Sequence, residues 1–217
     1  MRCAGVLFDF DGVIVDSTAA VARQYSRWAR EHGLDPEAIL RTAHGVRTEE
    51  VVRQAAPHLD ALAETIKIER REVEDPGVSI MPGALELLNA IPHSKWGIVT
   101  SGRRDLVRAR LQRLSIPAPG VLVTAEDVTQ GKPAPDPYLK GAALLGVAPK
   151  HCVVIEDAVA GIRAAHAAGM RAISLPSTYE ASSLTEADVI VPGLSQIRVS
   201  LDGAGPEGDL ILHLQRA

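Results

Sequence analysis

Two acidic pairs and one lysine hold most of the chemical information in this 217-residue chain. The first pair is in Phe8-Asp9-Phe10-Asp11-Gly12, which closes an apolar run beginning at Cys3. Carboxylates at i and i+2 point to the same side of a strand or of its extension. At the carboxyl end of a buried parallel strand they face the crevice in which open sheets bind ligands. Gly12 lets the chain turn away at once. Close carboxylates repel, so they need a cation, a shared proton or a basic neighbour. A hard oxygen-ligating ion such as Mg²⁺ is the simplest answer. The second pair, Glu156-Asp157, follows the buried run Cys152-Val-Val-Ile155. Four carboxylates on one sheet edge are hard to keep ionised without a metal.

Two further segments add positive charge and backbone donors. In Gly131-Lys132-Pro133-Ala-Pro135-Asp-Pro137 the prolines fix the backbone around one lysine. Lys132 is a charge that serves both the carboxylates and an anionic substrate. In Thr100-Ser101-Gly102-Arg103-Arg104, after Trp96-Gly-Ile-Val99, a hydroxyl and free N–H groups precede a helix and suit an anion. Thr100 or Ser101 would also cap that helix.

These residues need a frame. Short runs rich in Val and Ile occur at Cys3–Phe8, Trp96–Thr100, Val121–Thr124, Cys152–Ile155, Ala172–Leu175 and Val189–Val191. They do not alternate, which is how strands buried on both faces read. Helical patterns lie between them, at Gly83–Ile91, Leu106–Leu114, Pro137–Leu145 and Val159–Ala168. The implied fold class is α/β, a Rossmann-like parallel sheet with helices on both faces. One stretch breaks the alternation. Helices are expected near Ser17–His32, Pro36–Ala43, Thr48–Ala56 and Asp60–Val73, with Asp16 and Ser17 capping the first of them. The last holds Glu64-Thr-Ile-Lys67-Ile-Glu69-Arg70-Arg71-Glu72, which reads as a solvated face. So residues 1–14 and 80–217 are expected to form the core, and residues 15–79 an inserted all-helical cap. Leu210–Leu214 is left open between an edge strand and a helix.

Composition limits the partners. Apolar residues make up 46% and charged residues 23%, the balance of a globular chain. The 27 acidic and 23 basic residues give a net charge of −4, without the basic excess that nucleic acid attracts. Aromatics are only 3%, too few for base stacking. The longest apolar runs are strand-length, short of a bilayer span, and the N-terminus lacks a signal-peptide core. Two cysteines make no disulfide framework. A cytoplasmic monomer with no nucleic-acid or membrane partner is expected.

In order and spacing, Asp9-x-Asp11, Thr100, Lys132 and Glu156-Asp157 resemble the four motifs of the haloacid dehalogenase superfamily, in the branch with a helical cap after the first strand. The likeness spans essentially the whole chain. A looser likeness, through His44-Gly-Val-Arg47-Thr48, Thr124-Ala-Glu-Asp-Val128 and Pro135-Asp-Pro-Tyr-Leu-Lys-Gly141, is to phosphatases of the glycerol-phosphate and 2-deoxyglucose-6-phosphate kind. The resemblance implies a Mg²⁺-dependent phosphatase of a small phosphorylated sugar or polyol. Asp9 would be the nucleophile, Asp11 the general acid and base, and Thr100 and Lys132 the holders of the phosphoryl group. The metal site would be drawn from Asp9, Asp11, Glu156 and Asp157. Ser101, Gly102, Arg104, His44 and Arg47 would bind substrate. Mutases of the β-phosphoglucomutase kind carry a histidine on the first cap helix; Asp16-Ser-Thr-Ala-Ala-Val-Ala-Arg23 has none. That reading and a phosphoglycolate-type phosphatase are the alternatives.

Overall fold

The structure is a computed structural model that describes residues 1–43, 45–203 and 208–215. In chain order its main elements are β1 (Arg2–Cys3), β2 (Gly5–Phe8), β3 (Val15–Asp16), α1 (Thr18–Glu31), α2 (Pro36–Ala43), α3 (Thr48–Ala55), α4 (Ala61–Glu74) and β4 (Ser79–Ile80). There follow α5 (Ala84–Ala90), β5 (Trp96–Val99), α6 (Arg104–Arg113), β6 (Val121–Val123), α7 (Asp136–Leu145), β7 (Cys152–Glu156) and α8 (Val159–Ala167). The chain ends with β8 (Arg171–Ser174), β9 (Val189–Ile190), β10 (Ile197–Asp202) and β11 (Asp209–Leu214).

Six strands form one parallel sheet in the order β6-β5-β2-β7-β8-β9. The chain moves outward from β2 through β5 and β6, then returns to β7 on the other side of β2. Strand order therefore reverses around β2, where sheets of this type bind ligands. Alternate residues of the buried strands face opposite layers. Val6, Phe8, Val153 and Ile155 pack with Leu87 and Leu88 of α5 and Val107 and Leu111 of α6. Leu7 and Val154 pack with Tyr138 and Ala142 of α7 and Ile162 and Ala165 of α8. Each fully buried Val, Leu, Ile or Phe among them contributes about 1.5–3 kcal/mol of transfer free energy.

The run Cys3–Phe8 is not one strand. It breaks at Ala4: β1 pairs antiparallel with β11, whereas β2 enters the parallel sheet. The segment 210–214 is part of a strand, and β10, which the sequence did not signal, pairs with it in a three-stranded antiparallel sheet.

Helices α1–α4, called the cap below, bury their own apolar cluster, which includes Tyr25, Trp28, Ile39, Val51, Val52 and Ile68. Asp60 caps α4 by accepting from the Ala63 N–H at 3.1 Å. The two chain crossings into the cap pair with each other, β3 against β4. The mixed-charge run on α4 does not form the expected solvated face. Glu64, Glu69 and Glu72 are buried, while Leu62 and Ile66 are 47% and 48% exposed. The glutamates turn inward because each meets a donor or a cation there: Trp28 Nε1 reaches Glu64 at 3.0 Å, Arg103 faces Glu69 at 4.0 Å and Arg110 reaches Glu72 at 3.0 Å. Among the described residues, no helix is long and apolar enough to cross a membrane.

Candidate active site

The carboxyl ends of four neighbouring strands deliver the motif residues to one place. Asp9 follows β2 and is 5% exposed; its N–H bonds to the Ile155 carbonyl of β7 at 2.9 Å. Lys132 arrives from the proline-bounded turn after β6, where the Lys132–Pro133 peptide is cis. Its ammonium donates to Asp9 Oδ1 at 2.7 Å, to Glu156 Oε1 at 2.6 Å and to the Val99 carbonyl at 3.2 Å. Tyr138 on α7 also donates to Glu156 Oε1, at 2.7 Å. Glu156 Oε2 accepts the N–H groups of Asp157 and Ala158 at 3.0 and 3.1 Å. Gly161 makes room for this carboxylate: a Cβ there would lie 1.7 Å from Glu156 Oε1.

The electrostatics follow from burial. Loss of water pushes the Asp9 carboxyl up to about 7, even with Lys132 beside it. Burial, together with the charges of Glu156 and Asp9, pushes Asp157 well above the usual carboxylate range. Burial alone would lower Lys132; its two carboxylate partners outweigh that and raise it.

Asp9, Glu156 and Asp157 each offer an oxygen, and these atoms lie within 4.8 Å of one another. This donor set fits a hard divalent cation, which would relieve the burial and repulsion that hold Asp9 and Asp157 high. Within this set Glu156 is the most engaged member. Its two oxygens already accept from Lys132, Tyr138 and two backbone N–H groups, so it also anchors the lysine. Gly12, at φ +75°, turns the chain over Asp157; a Cβ there would meet Asp157 Oδ2 at 1.9 Å.

Asp11 lies beside this cluster. Its Oδ1 accepts from Ser17 Oγ at 2.5 Å and from the Arg110 guanidinium. Ser17 occupies the N-cap position of α1, but its hydroxyl bonds Asp11 and not the helix. No sequence motif pointed to Arg110, which comes from α6 and is 2% exposed.

Thr100, Ser101 and Gly102 form the loop after β5. The Gly102 N–H donates to Thr100 Oγ1 at 3.0 Å, and Ser101 Oγ donates across to the Gly45 carbonyl in the cap at 2.9 Å. Neither Thr100 nor Ser101 caps α6; the Arg104 N–H instead meets Glu126 Oε2 at 3.1 Å. Asp9, Asp11, Thr100, Ser101, Gly102 and Asp157 share the wall of a cavity of about 80 Å³ between core and cap. Its cap-side wall includes Val21, Tyr25, Gly45, Val46, Thr48 and Glu72.

Two expected substrate contacts, Arg104 and Arg47, stand elsewhere. Arg104 is turned to Asp127, with Nη2 at 2.6 and 2.5 Å from its two oxygens, and does not line the cavity. Arg47 reaches from the cap to core carbonyls, Val128 at 2.7 Å and Thr129 at 3.0 Å, and is likewise absent from the cavity wall. His44 lies outside the described residues. In their place are hydroxyls that no motif marks: Thr18, Thr178, and Tyr25, which donates to Thr48 Oγ1 at 3.1 Å. A tyrosine buried on an amphipathic helix reads as core, so only the assembled cavity distinguishes it.

Known proteins bear out the resemblance. Hexitol phosphatase A of Escherichia coli (strain K12) is 44% identical, over 98% of this chain and 100% of its own. Glycerol-1-phosphate phosphohydrolase 2 of Saccharomyces cerevisiae is 36% identical, over 92% of this chain and 86% of its own. The fold is that of CbbY from Rhodobacter sphaeroides, solved in complex with phosphate: the TM-score is 0.78 at 22% identity, covering 89% of this chain and 96% of that one. The family model for haloacid dehalogenase-like hydrolases matches residues 6–175, and the chain belongs to that family.

Proposed function

We propose that this hydrolase is a Mg²⁺-dependent phosphatase of small phosphorylated sugars or polyols, with residues 15–79 acting as a cap over the site. One observation carries the reading: two carboxylates, Asp9 and Asp11, face one small cavity closed by a hydroxyl-bearing wall. The relatives act, by their names, on hexitol and glycerol phosphates, which supports the substrate class. An α1 without histidine supports hydrolysis over the mutase alternative.

Asp9 attacks phosphorus, forming its O–P bond as the bond to the substrate oxygen breaks. Protonated Asp11 gives its proton to the leaving alkoxide, so a neutral alcohol departs. Water then attacks the aspartyl-phosphate, Asp11 takes its proton, and the Asp9 O–P bond breaks to release phosphate. Lys132 holds the Asp9 oxygen in place and neutralises charge beside it. Thr100 and Ser101 line the cavity beside Asp9, and the Thr100 hydroxyl and the Ser101 N–H would donate to phosphoryl oxygens there. The carboxylates of Asp9 and Asp157, with the backbone carbonyl of Asp11, would hold Mg²⁺, which when bound offsets the charge of the transferring phosphoryl group. The seated cap keeps bulk water from the site. We also place the protein in the cytoplasm as a monomer with no nucleic-acid or membrane partner; its net charge of −4 lacks the basic excess that nucleic acid attracts.

The test is phosphate release from a panel of sugar and polyol phosphates, with Mg²⁺ and with chelator, for wild type and Asp9→Asn. Asn is close in shape but a poor nucleophile. We expect metal-dependent release that falls by about 10³-fold or more in the variant. Release that persists in Asp9→Asn would move the nucleophile elsewhere. A folded, Mg²⁺-loaded wild type inert on every member would reject the reading.

A further inference from the structure

Arg110 has no part in the chemistry just described, yet it touches that chemistry. It projects from core helix α6 and is 2% exposed. Its Nη1 donates to Asp11 Oδ1, and its Nη2 donates to Glu72 Oε2 at 3.0 Å. Glu72 is on α4, so one guanidinium spans core, catalytic loop and cap. Among the described residues its Nε meets no acceptor, although that atom is buried. Buried ion pairs are weak stabilisers, and an unmet buried donor subtracts further. The arrangement is poor as a strut and well placed to aim a carboxyl group.

We propose that Arg110 is a positioning residue that aims Asp11 for proton transfer, and that Glu72 makes this aim depend on the cap being seated. The guanidinium is a rigid planar fork, so anchoring Nη2 on the cap sets the direction of Nη1. Ser17 Oγ reaches the same Asp11 oxygen from the start of α1. Oδ1 is therefore held by two donors. Among the described residues Oδ2 has no hydrogen bond, which leaves it to give and take the proton. The seam that carries Glu72 to Arg110 is fastened next to it: Arg113 on α6 donates to the carbonyls of Val73 and Asp75 at 2.7 and 2.8 Å. When the cap lifts, Glu72 leaves Nη2, and the fork loses the contact that orients it. Proton delivery is then confined to the closed, water-poor state.

The proposal rests on Asp11 being the general acid, and its test separates the two. An alkoxide leaving group needs a proton; a nitrophenolate does not. Activity is therefore measured as kcat/KM on glycerol 1-phosphate and on p-nitrophenyl phosphate, a value that reads through leaving-group departure. In Arg110→Met and in Glu72→Ala we expect about 10–100-fold loss on the glycerol ester and under about threefold on the aryl ester. Glu72→Gln keeps an acceptor for Nη2 and recovers most of what Glu72→Ala loses. Asp11→Asn is the reference and shows the same selectivity more strongly. If Asp11→Asn is not selective, the assignment of the acid fails. If it is selective while folded Arg110→Met and Glu72→Ala lose equally on both esters, or lose nothing, the positioning role is overturned. Should Arg110→Met fail to fold, Glu72→Ala decides alone.

Discussion

Lys132 and Arg110 do similar local work in different parts of the molecule. Each is a nearly inaccessible cation between two carboxyl groups, one of them reactive: Lys132 between Asp9 and Glu156, Arg110 between Asp11 and Glu72. The difference lies in who owns the second carboxyl. Glu156 ends β7 and is locked by Tyr138 and two backbone N–H groups, so the nucleophile is held by the core alone. Glu72 belongs to the cap. The proposed nucleophile is therefore always ready, whereas the proposed acid is ready only under a seated cap. An enzyme arranged this way can accept a phosphate ester while open and transfer phosphoryl only when water is fenced out.

The sharpest way to break the comparison is to remove each cation. Lys132→Met leaves Asp9 and Glu156 buried without their counter-charge. Loss of one partner from such a group costs about 3–5 kcal/mol, or about 6–20 °C in Tm for a chain of this size. Activity should fall by about 10²–10³-fold or more, and equally on alkyl and aryl phosphates, because the nucleophile serves both. Equal loss here beside unequal loss in Arg110→Met sustains the contrast. Selective loss in Lys132→Met, measured on the same two esters, would collapse it.

The two triads also differ in how far they could be read from sequence. Asp9, Lys132 and Glu156 follow buried strands or a proline-fixed turn, and their spacing sends them to one sheet edge. The α/β fold was legible for the same reason, since runs such as Cys152–Ile155 are apolar without alternation. Arg110 and Glu72 sit mid-helix, in stretches where charge at helical spacing reads as solvated. Nothing local distinguishes Glu72, which is buried, from Glu74, which is exposed. Only the docking of α4 on α6 does. The same limit explains Arg47 and Arg104: a motif-bearing arginine was expected to meet substrate, but carbonyls or a carboxylate from the core lay nearer. The break at Ala4 was hidden because both halves of the run are apolar.

Stability against pH offers a second way to separate the triads. Burial, opposed by Arg110, raises the Glu72 carboxyl from an ordinary 4.5 to about 8; Asp11 and Glu69 add to the rise. Asp9 rises from 3.8 to about 7. Between the unfolded and folded values the native state binds more protons, so stability falls as pH rises. The contribution is complete below the unfolded value and gone above the folded one. In chelator, stability should drop between pH 5 and 8 by an amount on the order of a few kcal/mol. Saturating Mg²⁺ should remove the share owed to Asp9 and Asp157, because a bound cation favours their ionised forms. Glu72→Gln should remove a share that Mg²⁺ leaves untouched, with Glu69, raised to about 7, supplying what remains. Denaturant midpoints across pH read both shares. A slope that Mg²⁺ abolishes completely, or that Glu72→Gln does not change, would show that the two sites do not titrate independently.

The smallest expected effect concerns a cap contact that touches no catalytic group. Arg47 fastens the start of α3 to the Val128 and Thr129 carbonyls without entering the cavity. Removing it weakens closure but leaves Glu72, Arg110 and Asp11 in contact once the cap is seated. Arg47→Ala should therefore raise KM by about fivefold, equivalent to about 1 kcal/mol of lost hydrogen bonding. The rise should be the same for glycerol 1-phosphate and p-nitrophenyl phosphate, and substrate ranking should not change. Closure as such would then be separable from closure that aims an acid, since Glu72→Ala discriminates between the esters and Arg47→Ala does not. A change of substrate ranking in Arg47→Ala would return this residue to the substrate-binding role that its motif suggested. It would also mean that the cap moves further than the contacts between Arg47 and the core allow.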